Sequence, residues 1–167
     1  LVAGRQPDVA HSPEIKLKKS MTLAQALTAV GLAYLHQFEA NIPAALAQQD
    51  EAIHQMRVAL RRLRALLNAT RQFLPMAQYQ AANVRLKAIL NDVGSVRNWD
   101  VLRKQVAKAP DLAHRRSSAH RHLVTAVAAK QRAAHRHACK VIQSPRQITR
   151  FLEVEQWLVG LSAESRN

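Results

Sequence analysis

The chain has 167 residues, 48% of them hydrophobic, so it is long enough to form one domain with its own core. Its 25 Lys and Arg against 11 Asp and Glu give a formal net charge of +14, which favours polyanionic partners such as nucleic acid, phosphate polymers or an anionic membrane surface. The single cysteine excludes an intrachain disulfide, and no run of about 18 apolar residues is present to span a membrane.

Residues 1–20 contain Gly4, Pro7 and Pro13, which predict an irregular segment, and we interpret it as a linker or the remnant of an upstream domain. Residues 21–167 are predicted to form an all-α domain, an antiparallel helical bundle, because the periodic segments are helical and the loops between them are short. Helices are predicted over residues 20–46, 50–74, 76–92, 98–108 and 111–143, with a last helix from Pro145.

The second predicted helix contains the sequence HQMRVALRRLRALL at residues 54–67, which separates an apolar face from a cationic one. At about 100° per residue, one cationic stripe contains Arg57, Arg61, Arg64, Asn68 and Arg71, with His54 at its edge. Arg62 falls away from this stripe, and Leu63 lies opposite to it in the apolar face. One side of the helix therefore faces a core, and the stripe beside it remains for other contacts.

No acidic residue accompanies the stripe. Asp and Glu are absent from residues 52–91 and from residues 112–152, and these two stretches carry seven and nine Lys and Arg, or 16 of the 25. An exposed arginine face usually recruits Glu one helical turn away, and unpaired guanidinium groups at such spacing repel one another. A solvated basic face is the simpler interpretation, but two acid-free stretches favour an anion-binding surface. Phosphate is a suitable anion because guanidinium groups form paired hydrogen bonds with phosphate oxygens.

The positions of the aromatic residues indicate which class of anion this surface binds. Five are predicted at core positions (Tyr34, Phe38, Phe73, Phe151 and Trp157), and only Tyr79 and Trp99 are predicted at the surface. Since single-strand binders stack bases on exposed aromatic rings, the pattern favours a ligand of phosphate without bases. Non-specific nucleic-acid binding through backbone phosphates stays as the alternative. Membrane-surface binding is less favoured because the apolar helix faces are needed for the core.

Neither a metal site nor an active site is predicted. No two of the eight histidines stand four residues apart, the spacing for two zinc ligands on one helix. The histidines of the long helix are predicted to be solvated, some as additional phosphate donors, and these are His114, His120, His122, His135 and His137. Asp92 and Asp100 are the only close carboxylates in mid-chain, which favours no enzymatic activity and no cofactor.

The quoted stretch resembles the signature of the CHAD family, the conserved histidine α-helical domain, in which a His precedes an Arg by three residues and paired arginines follow. The matching residues are His54, Arg57, Arg61 and Arg62. LKAILNDVGSVRNWDVL resembles the second block of the family through Lys87, Gly94, Arg97, Asp100 and Val101. Asn98 stands where the family usually has Asp. SPRQITRFLEVEQWL resembles the helix that closes the family's first half, so the resemblance covers about residues 20–161.

This resemblance implies an all-helical fold whose basic surface binds inorganic polyphosphate. The start of the chain further resembles the junction between a CYTH triphosphatase domain and a CHAD domain, which implies an accessory role beside such an enzyme. A full member has two similar helical halves and only the first is matched, so we expect either a fragment or a homodimer that supplies the second half. The implied location is the cytoplasm, in association with polyphosphate granules.

Twelve residues are predicted to bind polyphosphate. Five lie on the second helix, two lie in the second block, and five are basic residues of the long helix. They are His54, Arg57, Arg61, Arg62, Arg64, Lys87, Arg97, Arg115, Arg116, Arg121, Arg132 and Arg136.

Overall fold

The computed structural model describes residues 6–108 and 118–164, and within these residues it contains helices and no strand. The predicted all-α fold is therefore confirmed. The helices are α1 (Leu23–Ala40), α2 (Ile42–Leu46), α3 (Asp50–Thr70), α4 (Met76–Asp92), α5 (Gly94–Lys108), α6 (Ser118–Ile142) and α7 (Pro145–Glu164).

The first predicted helix is divided into α1 and α2. A capping box begins α1: the Thr22 hydroxyl accepts a hydrogen bond from the Gln25 backbone N–H at 3.2 Å, and the Gln25 side chain accepts one from the Thr22 N–H at 3.0 Å. The break falls at Asn41, and Pro43 occupies the first turn of α2, where its missing N–H costs no helical hydrogen bond. Pro43 therefore lies two residues after the break between the two helices.

The second predicted helix ends four residues early, because α3 stops at Thr70 and a 3-10 turn follows at residues 71–73. Phe73, which was predicted to be buried, is 62% exposed, so that prediction is wrong. A 3-10 turn winds at about three residues per turn rather than 3.6, and angular positions extrapolated from α3 therefore fail beyond Thr70. Phe38 and Phe151 are buried as predicted, with ring centroids 5.4 Å apart.

The later helices follow the predicted boundaries, with one exception. The bounds of α4 are those predicted, and α6 and α7 agree where the structure describes them, residues 111–117 lying outside the described residues. The exception is α5, which begins at Gly94, four residues before the predicted start. Val93, between α4 and α5, and Val96, in the first turn of α5, are both fully buried.

Adjacent helices run antiparallel wherever two contacts between them define their relative direction. Between α3 and α4, Arg64 contacts Asn83 and Asn68 contacts Tyr79, so residue numbers rise on one helix as they fall on the other. The same holds for α4 and α7, which are joined by hydrogen bonds from Trp157 to Gln78 and from Arg150 to Asp92.

Helix α3 lies at the centre and packs on α1, α2, α4 and α5. Its fully buried side chains include Met56, Leu60, Leu63 and Leu67, which is the apolar face predicted from periodicity. The irregular N-terminal segment packs against the same bundle, because the Gln49 amide donates to the Pro7 carbonyl at 2.6 Å. With the apolar face of α3 fully occupied, the rotation of this helix about its axis is determined.

The substitution Leu63→Ala tests this arrangement. We expect the free energy of unfolding to fall by about 2–5 kcal/mol, because a fully buried side chain is replaced by a cavity. Denaturant unfolding followed by circular dichroism measures the change. Leu123→Ala on α6 is the matched control, since Leu123 is 51% exposed and should cost at most about 0.5 kcal/mol. Equal losses in the two variants would contradict the core position of Leu63.

Candidate functional site

Three arginines of the predicted stripe line one cleft, where α3 faces the junction between α4 and α5. The cleft has a volume of about 590 Å³. Its lining residues, which define the basic cleft, are Arg57, Arg61, Arg64, Leu90, Asn91, Gly94 and Asn98. None of these lining side chains is a carboxylate, and the three arginines give the described lining a positive charge.

Arg57 is half-buried and packs against the end of α4. Its Nη1 donates to the Leu90 carbonyl at 3.5 Å, one of the last carbonyls of α4, which the helix itself leaves unsatisfied. The same Nη1 lies 2.9 Å from the position that a Cβ on residue 94 would occupy. The end of the Arg57 side chain therefore occupies the space beside Gly94.

Arg61 and Arg64 differ in how they are held. Arg64 is half-buried, and its Nε donates to Asn83 Oδ1 at 3.0 Å. Arg61 is exposed and has no hydrogen bond or ion pair with any residue in the described ranges. Neither arginine has a carboxylate within ion-pair distance in the described part of the chain. These two guanidinium groups thus keep their charge available to a ligand.

Two further predicted residues lie near the cleft without lining it. His54 is half-buried on α3, one helical turn before Arg57, and within residues 6–108 and 118–164 it has no hydrogen-bond partner. Lys87 is exposed on α4, midway between Asn83, which contacts Arg64, and Asn91, which lines the cleft. Because residues four apart share a helix face, Lys87 lies at the rim of the basic cleft.

The remaining predicted residues lie elsewhere or outside the described residues. The guanidinium of Arg62 donates to the Ser12 hydroxyl, on a different side of α3 from the stripe. Arg121 and Arg136 are exposed on α6 and do not line the cleft, and Arg132 lines another cavity. Arg115, Arg116 and the side chain of Arg97 lie outside the described residues, as does His114.

Three asparagines were missed by sequence reasoning, namely Asn83, Asn91 and Asn98. Asn83 and Asn91 stand four residues before and after Lys87, a spacing that places all three on one face of α4. The spacing predicts that the three residues share a face, but only the position of α3 shows that this face of α4 borders the cleft. The cleft therefore combines arginines from one helix with amides from two others.

Other arginines of the acid-free stretches do find carboxylates, which come from distant parts of the chain. Arg85 pairs with Glu153, and Arg150 Nη1 lies 3.0 Å from Asp92 Oδ2, both between α4 and α7. An acid-free stretch of sequence therefore does not imply unpaired arginines in the folded protein. The arginines Arg61 and Arg64 remain without acids in the described structure because the side of α3 that carries them faces the amides and Gly94 instead.

A second cavity, of about 370 Å³, lies where the start of α3 meets α5 and α6. It is lined by Gln48, Asp50, Arg103, Gln131, Arg132 and His135. The buried Gln131 amide donates to Asp50 at 3.0 Å and to Asp100 at 2.7 Å, bringing together two carboxylates that are distant in sequence. This polar cluster joins α6 to α3 and α5.

His135 is only 4% exposed, so the prediction that it is solvated is wrong. It shares the inner face of α6 with Gln131 and Ala138, which are buried against the neighbouring helices. Burial lowers the pKa of His135, and the nearby charges of Asp50 and Asp100 only partly oppose this effect. His122 and His137 are exposed as predicted.

Within residues 6–108 and 118–164, no group of three or more His, Cys, Asp and Glu side chains could hold a metal ion. The only cysteine, Cys139, places its Sγ 3.5 Å from the Ala45 carbonyl and 3.6 Å from His135 Nδ1.

Among the described helices none combines the length and apolar character needed to cross a bilayer.

Comparison with known proteins supports the all-helical fold. The family model of the CHAD domain matches residues 29–166. The crystal structure of the CHAD domain from the plant Ricinus communis superimposes with a TM-score of 0.76 at 24% identity, covering 96% of this chain and 53% of the plant chain. The chain thus spans about half the length of that plant protein, and the likeness shows the fold. No curated protein matches significantly.

The buried His135 predicts a pH dependence of stability. Since its pKa is lower in the folded than in the unfolded chain, His135 favours folding above the ordinary pKa of about 6.5, and this contribution is lost as the pH falls. We expect the melting temperature to drop between about pH 7.5 and pH 5, and to drop less in His135→Gln. The exposed His137→Gln is the control and should behave as the wild type. Identical pH profiles for the wild type and His135→Gln would refute the assignment.

Proposed function

The chain belongs to the CHAD family, and from this membership and the basic cleft we propose that it binds inorganic polyphosphate. The observation that carries the proposal is the lining of the cleft, in which three arginines and two asparagines occur without a carboxylate. Guanidinium groups bind phosphate oxygens in pairs of hydrogen bonds, and amides can donate further ones. The cleft therefore suits a ligand with many phosphate oxygens.

The length of the arginine row suits a polymer better than a single phosphate. Arg57 and Arg64 are seven residues apart on α3, which corresponds to about 10 Å along the helix axis. The cleft is open to solvent at Arg61 and at the rim residue Lys87, both of which are exposed. A phosphate chain could lie along the row and extend beyond both ends, where a single phosphate would contact only part of it.

We assign the twelve predicted residues unequal roles. Arg57, Arg61 and Arg64 are proposed to contact the ligand, and Lys87 and His54 to extend the contact at the rim. The position of Arg97 between the lining residues Gly94 and Asn98 makes it a further proposed contact. The six others contribute through the long-range positive field that attracts a polyanion, and these are Arg62, Arg115, Arg116, Arg121, Arg132 and Arg136.

The alternative, non-specific nucleic-acid binding, would use the same charges. It is less favoured because none of the described residues that line the basic cleft is aromatic, whereas single-strand binders stack bases on such rings. The exposed Phe73 lies in a separate hollow with Leu23, Leu74 and Leu161. A base stacked on Phe73 would therefore not explain the arginines of the cleft.

The biological setting is also part of the proposal. In a protein that carries a CYTH triphosphatase, this domain would concentrate polyphosphate near the enzyme, and we propose binding without turnover by this chain. Such a role implies location in the cytoplasm or at polyphosphate granules. Association of two copies of the chain as a homodimer is a further part of the proposal.

Replacement of the most exposed cleft arginine tests the proposal. Arg61→Ala should weaken binding of polyphosphate of defined length and reduce the slope of log affinity against log salt by about 1, because one fewer cation is neutralised. Titration calorimetry at two salt concentrations measures both quantities. Arg146→Ala on α7 removes an exposed charge outside the cleft and is the matched control.

Two outcomes would count against the proposal. If Arg61→Ala and Arg146→Ala reduce affinity and slope equally, binding depends on net charge and not on the cleft. If short DNA or RNA displaces polyphosphate at equal phosphate concentration, the protein is a general polyanion binder and the nucleic-acid alternative gains support.

A further inference from the structure

We propose that the second cavity, where the start of α3 meets α5 and α6, binds a small zwitterion that carries a primary ammonium group and a carboxylate, as an amino acid does. We call it the polar cavity, and its volume of about 370 Å³ lies within the range of small-molecule pockets, roughly 300–1,000 Å³. It shares no lining residue with the basic cleft, so this site is independent of the proposed function. The lining residues are Gln48, Asp50, Arg103, Gln131, Arg132 and His135.

His135 brings to this lining a buried nitrogen that the protein leaves without a partner. Its side chain is only 4% exposed, and its Nε2 has no hydrogen-bond partner within residues 6–108 and 118–164. Such atoms are rare in folded proteins, because burial removes their hydrogen bonds to water. The other ring nitrogen, Nδ1, lies beside Cys139, which does not line the polar cavity. Nε2 is therefore the ring nitrogen that can meet a ligand.

The neighbours of His135 determine which kind of group its Nε2 can bind. Burial lowers the pKa of His135, so the ring is neutral and carries one proton. The Cys139 thiol donates to the Ala45 carbonyl at 3.5 Å, which uses its single proton. The sulfur can then only accept from His135 Nδ1 at 3.6 Å, and this assigns the ring proton to Nδ1. Nε2 is left as an acceptor, so the ligand must bring a donor.

Asp50 supplies a second acceptor and a negative charge close to His135, where it opposes part of the effect of burial on the pKa. Its Oδ2 accepts from Gln131 at 3.0 Å and lies 3.5 Å from Arg103 Nη2. Its Oδ1 accepts no hydrogen bond from the part of the chain that the structure describes. A primary ammonium group has three donors and a positive charge, which suit these two acceptors. A phosphate chain offers acceptors alone, and Asp50 would repel it.

Two exposed arginines are assigned to the anionic end of the ligand. Arg103 on α5 and Arg132 on α6 both line the polar cavity. Arg103 pairs with Asp50, whereas Arg132 has no ion pair with any described residue. Guanidinium groups bind a carboxylate through paired hydrogen bonds, and they repel an amine that has no anionic group. The lining therefore favours a molecule that carries both charges.

The turn before α3 adds an amide to the same lining. Gln48 has a φ of 62°, in the left-handed region that favours glycine. Its N–H donates to the Ala45 carbonyl at 2.9 Å, and the Gln49 N–H donates to the Ala44 carbonyl at 3.0 Å, which is the pattern that ends many helices. Glycine would adopt this conformation without strain, whereas glutamine brings a side-chain amide to the polar cavity. This amide can donate to the carboxylate of the ligand.

The first test compares ligands on the unaltered full chain. Glycine, β-alanine and γ-aminobutyrate place the two charges progressively further apart, and propionate and propylamine each carry one of them. We expect a zwitterion to saturate the protein below about 10 mM and the single-charge compounds to bind at least about tenfold more weakly, because each leaves part of the lining without a partner. Nitrogen NMR of histidine-labelled protein measures binding, since the His135 Nε2 signal should move when this atom accepts a hydrogen bond.

Two variants with matched controls locate the site. Asp50→Asn keeps an acceptor for Gln131 and removes the charge that pairs with the ammonium group, so it should weaken binding of the best zwitterion by about tenfold. Its control is Glu51→Gln, at the adjacent exposed acid outside the polar cavity. Arg132→Gln should weaken binding by about fivefold, and its control is Arg136→Gln, one turn further along α6. Both controls should bind within about twofold of the wild type.

Three outcomes would overturn this assignment. If no zwitterion moves the His135 signal below about 10 mM, the polar cavity holds water alone. If propionate or propylamine binds as tightly as the best zwitterion, the site recognises a single charge. If a control weakens binding as much as its matched variant, position has no effect. Should Asp50→Asn fail to fold, the ligand comparison and Arg132→Gln decide. Failure to bind polyphosphate would overturn the proposed function and leave this assignment standing.

Discussion

The burial of one face of α3 is the constraint on which the rest of this structure depends. Met56, Leu60, Leu63 and Leu67 are fully enclosed by the surrounding helices, and exposing any of them to water would cost a few kcal/mol. A helix held in this way cannot rotate about its axis. The arginine stripe beside the apolar face therefore has one available direction, toward the junction of α4 and α5.

What that junction presents determines the electrostatics of the site. Only Val93 separates the end of α4 from the start of α5, and the first residue of α5, Gly94, lies close to the guanidinium of Arg57. The Leu90 carbonyl accepts a hydrogen bond from Arg57 and the Asn83 amide accepts one from Arg64, so neutral acceptors help to orient these two side chains. The carboxylates that pair with arginines of α4 and α7 are on the other side of α4, which leaves the positive charge concentrated in the basic cleft.

A second polar cluster contributes to the position of the α5 and α6 helices. The Gln131 amide spans the carboxylates of Asp50 and Asp100, and these three side chains connect the start of α3 with α5 and α6. His135 lies beside them in the interior, where its neutral form is favoured. The cluster lies near the first turn of α3, whereas the basic cleft lies along the middle of this helix.

The sequence by itself determined the features that follow from short-range rules. Helical periodicity and the positions of Pro and Gly predicted most helix boundaries, the apolar face of α3 and the stripe of Arg57, Arg61 and Arg64, because each depends on residues within one or two turns. These rules failed where the local geometry changed, as in the 3-10 turn that exposes Phe73.

Only the tertiary structure decided which residues join the site. Asn83 and Asn98 become neighbours of the arginines, whereas Arg132 of the long helix lies at another cavity and His135 is buried. Each of these outcomes depends on how one helix is rotated relative to another. That rotation is determined by side-chain packing between residues distant in the chain, which the periodicity of a single helix does not contain.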